Sequence, residues 1–177
     1  MEWVTARIDQ AAIDGYATGA FGLRIRTPVL AQVVMGNSRT PQEAQAEART
    51  LGNAISGQSY GLLNNTSSVR FLKRVRAHPE YRLKVRPCAH IHDAQYMYAK
   101  DDFALLAWIN KYLIKEMAWQ DLPELQCAGL NISSSLDVFY PNWSQDFTIK
   151  NGMNQEEIKQ LCITEAKKRK EKVMVTS

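Results

Sequence analysis

The sequence has little cysteine and no long apolar run. Its 177 residues include three cysteines, Cys88, Cys127 and Cys162, far apart and with no CxxC pair. That count argues against a disulfide framework or a thiolate zinc site; it fits a reducing cytosol, so a cytoplasmic protein is expected. No stretch approaches the ~18 apolar residues of a membrane-spanning helix, and no membrane partner is expected. The opening Met1-Glu2-Trp3-Val4-Thr5 has neither the basic nor the apolar region of a secretory signal. Internal repeats and low-complexity tracts are missing too, and glycine and proline are scattered.

What is present is a globular composition, 45% hydrophobic and 23% charged, which excludes wholesale disorder and collagen-like classes. The length fits one domain on a prior of ~100–200 residues, with a core large enough to need no staples. The net charge of +4 is unevenly spread: residues 1–90 carry 12 Lys/Arg against 6 Asp/Glu, and residues 91–177 carry 10 against 12. The densest basic stretch holds Arg70, Lys73, Arg74, Arg76, Arg82, Lys84 and Arg86, with Glu80 as its one acid. A basic half points to a polyanionic partner such as nucleic acid. An ordinary solvated face accounts for the same charges equally well.

Apolar spacing predicts a helix over residues 2–14, with Val4, Ile8, Ala11 and Ala12 on one face and Gly15 at its end. Alternation from Phe21 to Pro28 reads as extended chain around a glycine turn. Gly36-Asn37-Ser38 reads as a loop. Thr40, Pro41 and Glu43 then form a capping-box start for a helix to about Ser56, with Ala44, Ala48, Leu51 and Ile55 inward. Gly57 is expected to break or bend it, with a second helix from Tyr60 to Arg76 closed by His78-Pro79. From Leu83 to Ile91 the chain alternates: Leu83, Val85, Pro87, Ala89 and Ile91 on one face, Lys84, Arg86, Cys88, His90 and His92 on the other. Residues 94–99 read as the returning strand of a hairpin with Asp93 near its bend. Asp101 or Asp102 caps a helix over residues 103–119, with Phe103, Leu106, Ile109, Leu113 and Met117 inward. Leu125–Tyr140 reads as a further β region. The charged helix from Gln155 to Lys172 has no pattern that forces it to pack. The expectation is an α+β fold, a small antiparallel sheet backed by helices, with residues 1–150 as the body and 151–177 as a charged helical tail.

The candidate chemistry lies in His90-Ile91-His92-Asp93. Two histidines two apart on a strand point the same way and are able to share a metal. A histidine followed by aspartate also occurs in metal-dependent phosphohydrolases, but these need further His and Asp ligands, and only His78 remains. The plainest reading makes the histidines sheet residues and Asp93 a turn former.

The surrounding motifs add to this. Gly15-Tyr16 leads to Phe21-Gly22-Leu23-Arg24-Ile25-Arg26-Thr27-Pro28, then to a helix with Arg49 and Asn53 one turn apart, then to Ser56-Gly57-Gln58. His92-Asp93 follows at a hairpin tip, and Leu136-Asp137-Val138-Phe139-Tyr140-Pro141-Asn142-Trp143 comes later. This order resembles the C-terminal part of family-A DNA polymerases, the DNA polymerase I class, and most of all its phage-type members. The glycine-rich segment resembles the end of the fingers, Arg49 and Asn53 the palm-helix pair, His92-Asp93 motif C, and Asn142-Trp143 the terminal strand. The resemblance covers roughly residues 3–145.

It implies a polymerase palm, in which carboxylates hold two Mg²⁺ ions ~3.5–4 Å apart for nucleotidyl transfer to a primer 3′-hydroxyl. Asp93 is then the metal ligand, and Asp93 with His92 the catalytic pair. Arg24, Arg26, Arg49, Asn53, Gln58 and His92 become DNA contacts, largely in the minor groove, where acceptors look alike for all base pairs. The basic stretch adds salt-sensitive phosphate contacts. Primer-template DNA and a dNTP are the implied partners. Ala94 stands where the family often has glutamate, and Gly57 where it has a glutamine. The family's other metal-binding aspartate and its fingers helix precede the segment that this chain resembles. The resemblance therefore implies a polymerase segment active only with a separate N-terminal polymerase polypeptide. A catalytically inactive DNA-binding palm-like module is the alternative.

Overall fold

The computed structural model of the chain describes residues 2–32, 41–123, 126, 128–130 and 132–175. It is a mixed α+β protein with four α-helices and three antiparallel two-stranded sheets among the described residues. Two compact units divide the chain, Met1–Asn64 and Asn65–Ser177.

In the first unit, helix α1 (Glu2–Asp14) ends at Gly15, whose φ of 74° suits a residue without Cβ. Strands β1 (Tyr16–Thr18) and β2 (Arg24–Arg26) pair with Tyr16 opposite Arg26. The extended chain expected from Phe21 begins only at Arg24, because Phe21 and Gly22 both take positive φ in a short turn. Ala11, Ala17, Leu30, Ala44, Leu51 and Ile55 form the core. The Thr27 hydroxyl donates to the Ala11 carbonyl at 3.0 Å, and the Glu47 carboxylate accepts from the backbone N–H groups of Val29 and Leu30. Thr40 and the loop Gly36-Asn37-Ser38 lie outside the described residues.

Helix α2 runs unbroken from Gln42 to Ala77. The expected break at Gly57 does not occur. A helical glycine costs about 1 kcal/mol relative to alanine, which buried neighbours on either side outweigh: Leu51 and Ile55 before it, Leu63 after it.

In the second unit, Phe71 and Val75 of α2 meet Tyr81, Val85, Leu105, Ile109 and Leu113 in one core. Strands β3 (Val85–Ile91) and β4 (Ala94–Ala99) form the expected hairpin, which stands as its own two-stranded sheet. Its register corrects the expected alternation. A shift between Pro87 and Ala89 leaves Cys88 as an extra residue, so Ala89 and Ile91 change sides. Residues directly opposite share a face, so Val85, Pro87 and His90 go with Gln95 and Met97, while Arg86, Ala89 and Ile91 go with Tyr96 and Tyr98. The run from Leu83 to Ile91 therefore does not bury one apolar face: Leu83 is 69% exposed and Ile91 47%.

Helix α3 (Phe103–Met117) starts at Asp102, whose carboxylate accepts from the N–H groups of Ala104 and Leu105 at 2.9 and 3.2 Å. Leu105 rather than Leu106 is the fully buried leucine; Phe103, Leu106 and Met117 are half-buried. The β region expected over Leu125–Tyr140 contracts to β5 (Leu136–Phe139), and Leu125 lies outside the described residues. β5 pairs with a strand the pattern did not announce, β6 (Asp146–Ile149). The buried Asn110 donates to the Lys150 carbonyl at 3.0 Å, which ties α3 to the end of that hairpin. Helix α4 (Gln155–Val175) opens with Asn154 accepting from the N–H groups of Glu156 and Glu157, while Glu157 accepts from that of Asn154. It does pack: Ile158 is wholly buried.

Two measurements check this description. Gly57 has nothing within 4 Å of an added Cβ, so Gly57→Ala is expected to raise stability by roughly 0.5–1 kcal/mol in urea unfolding. A helix broken at Gly57 would give no such gain. For Asp102, the bond from the Leu105 N–H leads, with help from Lys84, in holding the carboxyl below its ordinary range against the opposing effect of desolvation. A depressed folded-state value means stability that is complete above the ordinary carboxylate range and lost as pH falls through the folded value. Asp102→Ala is therefore expected to cost about 1 kcal/mol at neutral pH and to flatten the acid limb of the stability profile.

Candidate functional site

The hairpin puts His92 and Asp93 in a two-residue turn between Ile91 and Ala94, which pair directly. His92 takes φ 53°, left-handed backbone that non-glycine residues adopt at a cost. Such a tight bend lifts both side chains clear of the sheet, and both are exposed. Because His92 stands in the turn and not on the strand, the two-apart alternation expected to aim His90 and His92 to one side does not apply. His90 lies on the face toward α2, with its Nδ1 3.4 Å from the Ser68 hydroxyl.

The hairpin is held through both of its faces. Val85 is its one fully buried residue, Met97 packs on the core, and the Gln95 amide donates to the Met117 sulfur at 2.9 Å. On the opposite face Tyr96 stacks on Trp143 with centroids 5.0 Å apart, and Trp143 stacks on Phe139 at 4.9 Å. Phe139 and Trp143 thus brace the strand that leads away from Asp93.

The other expected site residues fall in the first unit. Arg49 and Asn53 are exposed and lie one turn apart on α2, so they share a side of the helix. Gln58 is nine residues beyond Arg49, about two and a half turns, and in an unbroken helix it falls on the opposite side. Arg24 and Arg26 project from the same face of β2, with the Arg24 guanidinium 4.5 Å from the centre of the Tyr16 ring. The structure thus groups Arg49 with Asn53, Arg24 with Arg26, and His92 with Asp93.

Among the described residues no three His, Cys, Asp or Glu side chains converge on one metal position. Asp93 fits a hard divalent cation as a single exposed carboxylate, one oxygen ligand of several that Mg²⁺ takes. Cys162 lines a mainly apolar cavity of about 200 Å³ with Phe103, Leu106, Val138 and Phe147, and burial pushes its thiol up, away from a nucleophilic thiolate.

A second polar locus escaped the sequence reading. Arg70 and Arg74 on α2 both reach Glu116 of α3, and Arg70 also donates to Asp121. The Arg70 guanidinium lies over Trp119 at 4.9 Å and that of Arg74 over Tyr112 at 4.8 Å. Charge density marked the two arginines, but their partners lie 42 to 51 residues away, and no local pattern links them. Within the same basic stretch Lys84 is taken up internally: the hydrogen bond it donates to Glu80, then the one it donates to Asp102, holds its ammonium above the ordinary lysine value despite desolvation.

Compared with known proteins, the chain matches no protein-family model and no curated sequence. No described helix is long and apolar enough to cross a membrane.

The backbone of the turn provides its own test. His92→Gly removes the imidazole and relieves the left-handed strain, so stability is expected to change by no more than about 1 kcal/mol in urea unfolding. A larger loss would show that the imidazole itself holds the hairpin.

Proposed function

We propose that this chain is the C-terminal segment of a template-directed DNA polymerase resembling family A, supplying a metal-binding carboxylate and primer-template contacts. It works together with a second polypeptide that carries the remaining metal ligand and the nucleotide-binding elements. One observation supports the reading most: Asp93 stands exposed at the tip of a two-residue hairpin turn, directly after a left-handed His92. A strand pair fixes the carboxylate's position while its bend exposes it, which suits a ligand that meets metal and substrate from elsewhere.

Asp93 would hold Mg²⁺, and its role is to keep one negatively charged oxygen fixed where the phosphoryl group reacts. The chemistry that a Mg²⁺ pair supplies in such a site is activation of the primer 3′-hydroxyl and stabilisation of the leaving pyrophosphate. His92 lies beside it and is assigned to the primer end. Arg49 and Asn53, exposed together on one side of α2, are assigned to the minor groove, where a donor–acceptor pair grips any base pair. Arg24 and Arg26 are assigned to backbone phosphates. Nucleotide selection is left to the partner.

Primer extension in Mg²⁺ with a complementing N-terminal polymerase fragment tests this. The chain alone is expected to extend nothing, and the mixture to extend. Losing a group that only hydrogen-bonds a metal's ligand costs about 10–100-fold, so Asp93→Asn, which removes a direct ligand, is expected to cost more than about 100-fold. Thermal stability should hold, since asparagine suits the turn. Arg49→Ala and His92→Ala should lower the rate by less. Near-normal extension by Asp93→Asn would overturn the assignment.

A further inference from the structure

We infer that the groove between the C-terminal part of α2 and the end of α3 grips the phosphodiester backbone of a nucleic acid, with Lys73 as its available cation. The inference deepens the nucleic-acid reading above and rests on it.

The groove has a volume of about 630 Å³ and is open along one side, with Arg70, Lys73, Arg74, His78 and Glu116 in its lining. Residues 70, 73 and 74 are three and four apart on α2, so their side chains fall on one stripe of the helix. The two arginines are held on two sides, by the Glu116 carboxylate and by an aromatic ring each. Guanidiniums fixed in this way lose little freedom when their remaining N–H groups meet a phosphate. His78 accepts from the backbone N–H groups of Glu80 and Tyr81 through Nδ1, which assigns its proton to Nε2 as a donor.

Charge counting shows which cation of the groove is free to meet a ligand. Glu116 and Asp121 offset the two arginines, while Lys73 is exposed and has no carboxylate partner among the described residues. The groove is therefore net positive through Lys73. Lys84, by contrast, is engaged with Glu80 and Asp102. An open groove with fixed guanidiniums and one unpaired ammonium suits backbone phosphates better than a single enclosed anion.

The test is fluorescence anisotropy of a labelled primed duplex with the full chain alone, in EDTA, across about 50 to 200 mM KCl. Lys73→Gln is compared with Lys167→Gln, an exposed lysine on α4 with the same loss of charge. Lys73→Gln is expected to weaken binding to every duplex sequence alike and to reduce the slope of log K against log salt by about 1, whereas Lys167→Gln leaves the slope at the wild-type value. Equal slopes for the two variants would overturn the groove assignment, as would a wild-type chain that does not bind the duplex at low salt. Displacement of DNA by inorganic phosphate beyond its ionic-strength effect would also overturn it, in favour of a free-phosphate site. Because the assay uses neither metal nor partner, these results are independent of the Asp93 extension experiment. Failure there with a Lys73-dependent slope here would leave the groove standing and remove the polymerase reading alone.

Discussion

The contact between the C-terminal part of α2 and α3 is what the second unit depends on. Phe71 and Val75 from one helix and Leu105, Ile109 and Leu113 from the other are almost wholly buried, and Trp108 closes over them with its ring 5.8 Å from that of Phe71. Burying each such side chain is worth about 1.5–3 kcal/mol, so this cluster is a large local source of stability. The β3–β4 hairpin has no comparable core. A two-stranded hairpin alone is marginal in water, and this one rests on the helix pair through Val85, Met97 and the Gln95 bond to Met117. Where Asp93 stands is thus decided by helix packing as much as by its own turn.

The same helix pair explains a buried acid. Glu116 is 8% exposed, and a carboxylate removed from water is costly unless it is paired. Arg70 and Arg74 provide the pairing, and the rings of Trp119 and Tyr112 cover their flat faces. Much of the dense positive charge in the sequence is therefore spent inside the fold. What projects to a partner is the remainder, and only the contacts reveal which cations belong to it.

Local chemistry made much of the fold legible. Gly15 marks the end of α1, Asp102 the start of α3, and His78-Pro79 the end of α2, because caps and stops act within one or two turns of their own residues. The hairpin turn at His92-Asp93 was legible for the same reason. Three features were not. Local propensity at Gly57 favours a break, and the burial of Ile55 and Leu63 on either side holds the helix through it. Strict alternation predicts one apolar face for β3, and one extra residue at Cys88 reverses half of it. β6 is four residues long and owes its existence to pairing with β5.

By itself, then, the sequence determined the α+β class, the helix ends, the hairpin and the exposed turn that carries His92 and Asp93, since each follows from interactions a few residues long. Tertiary structure alone decided that α2 is one helix, that Gln58 leaves the side of Arg49 and Asn53, and that Glu116 and Asp121 together offset two arginines while Lys73 stays available. The first two depend on burial that holds the helix through Gly57, and the last on groups more than forty residues apart meeting in the fold. Nothing local in the chain records that meeting.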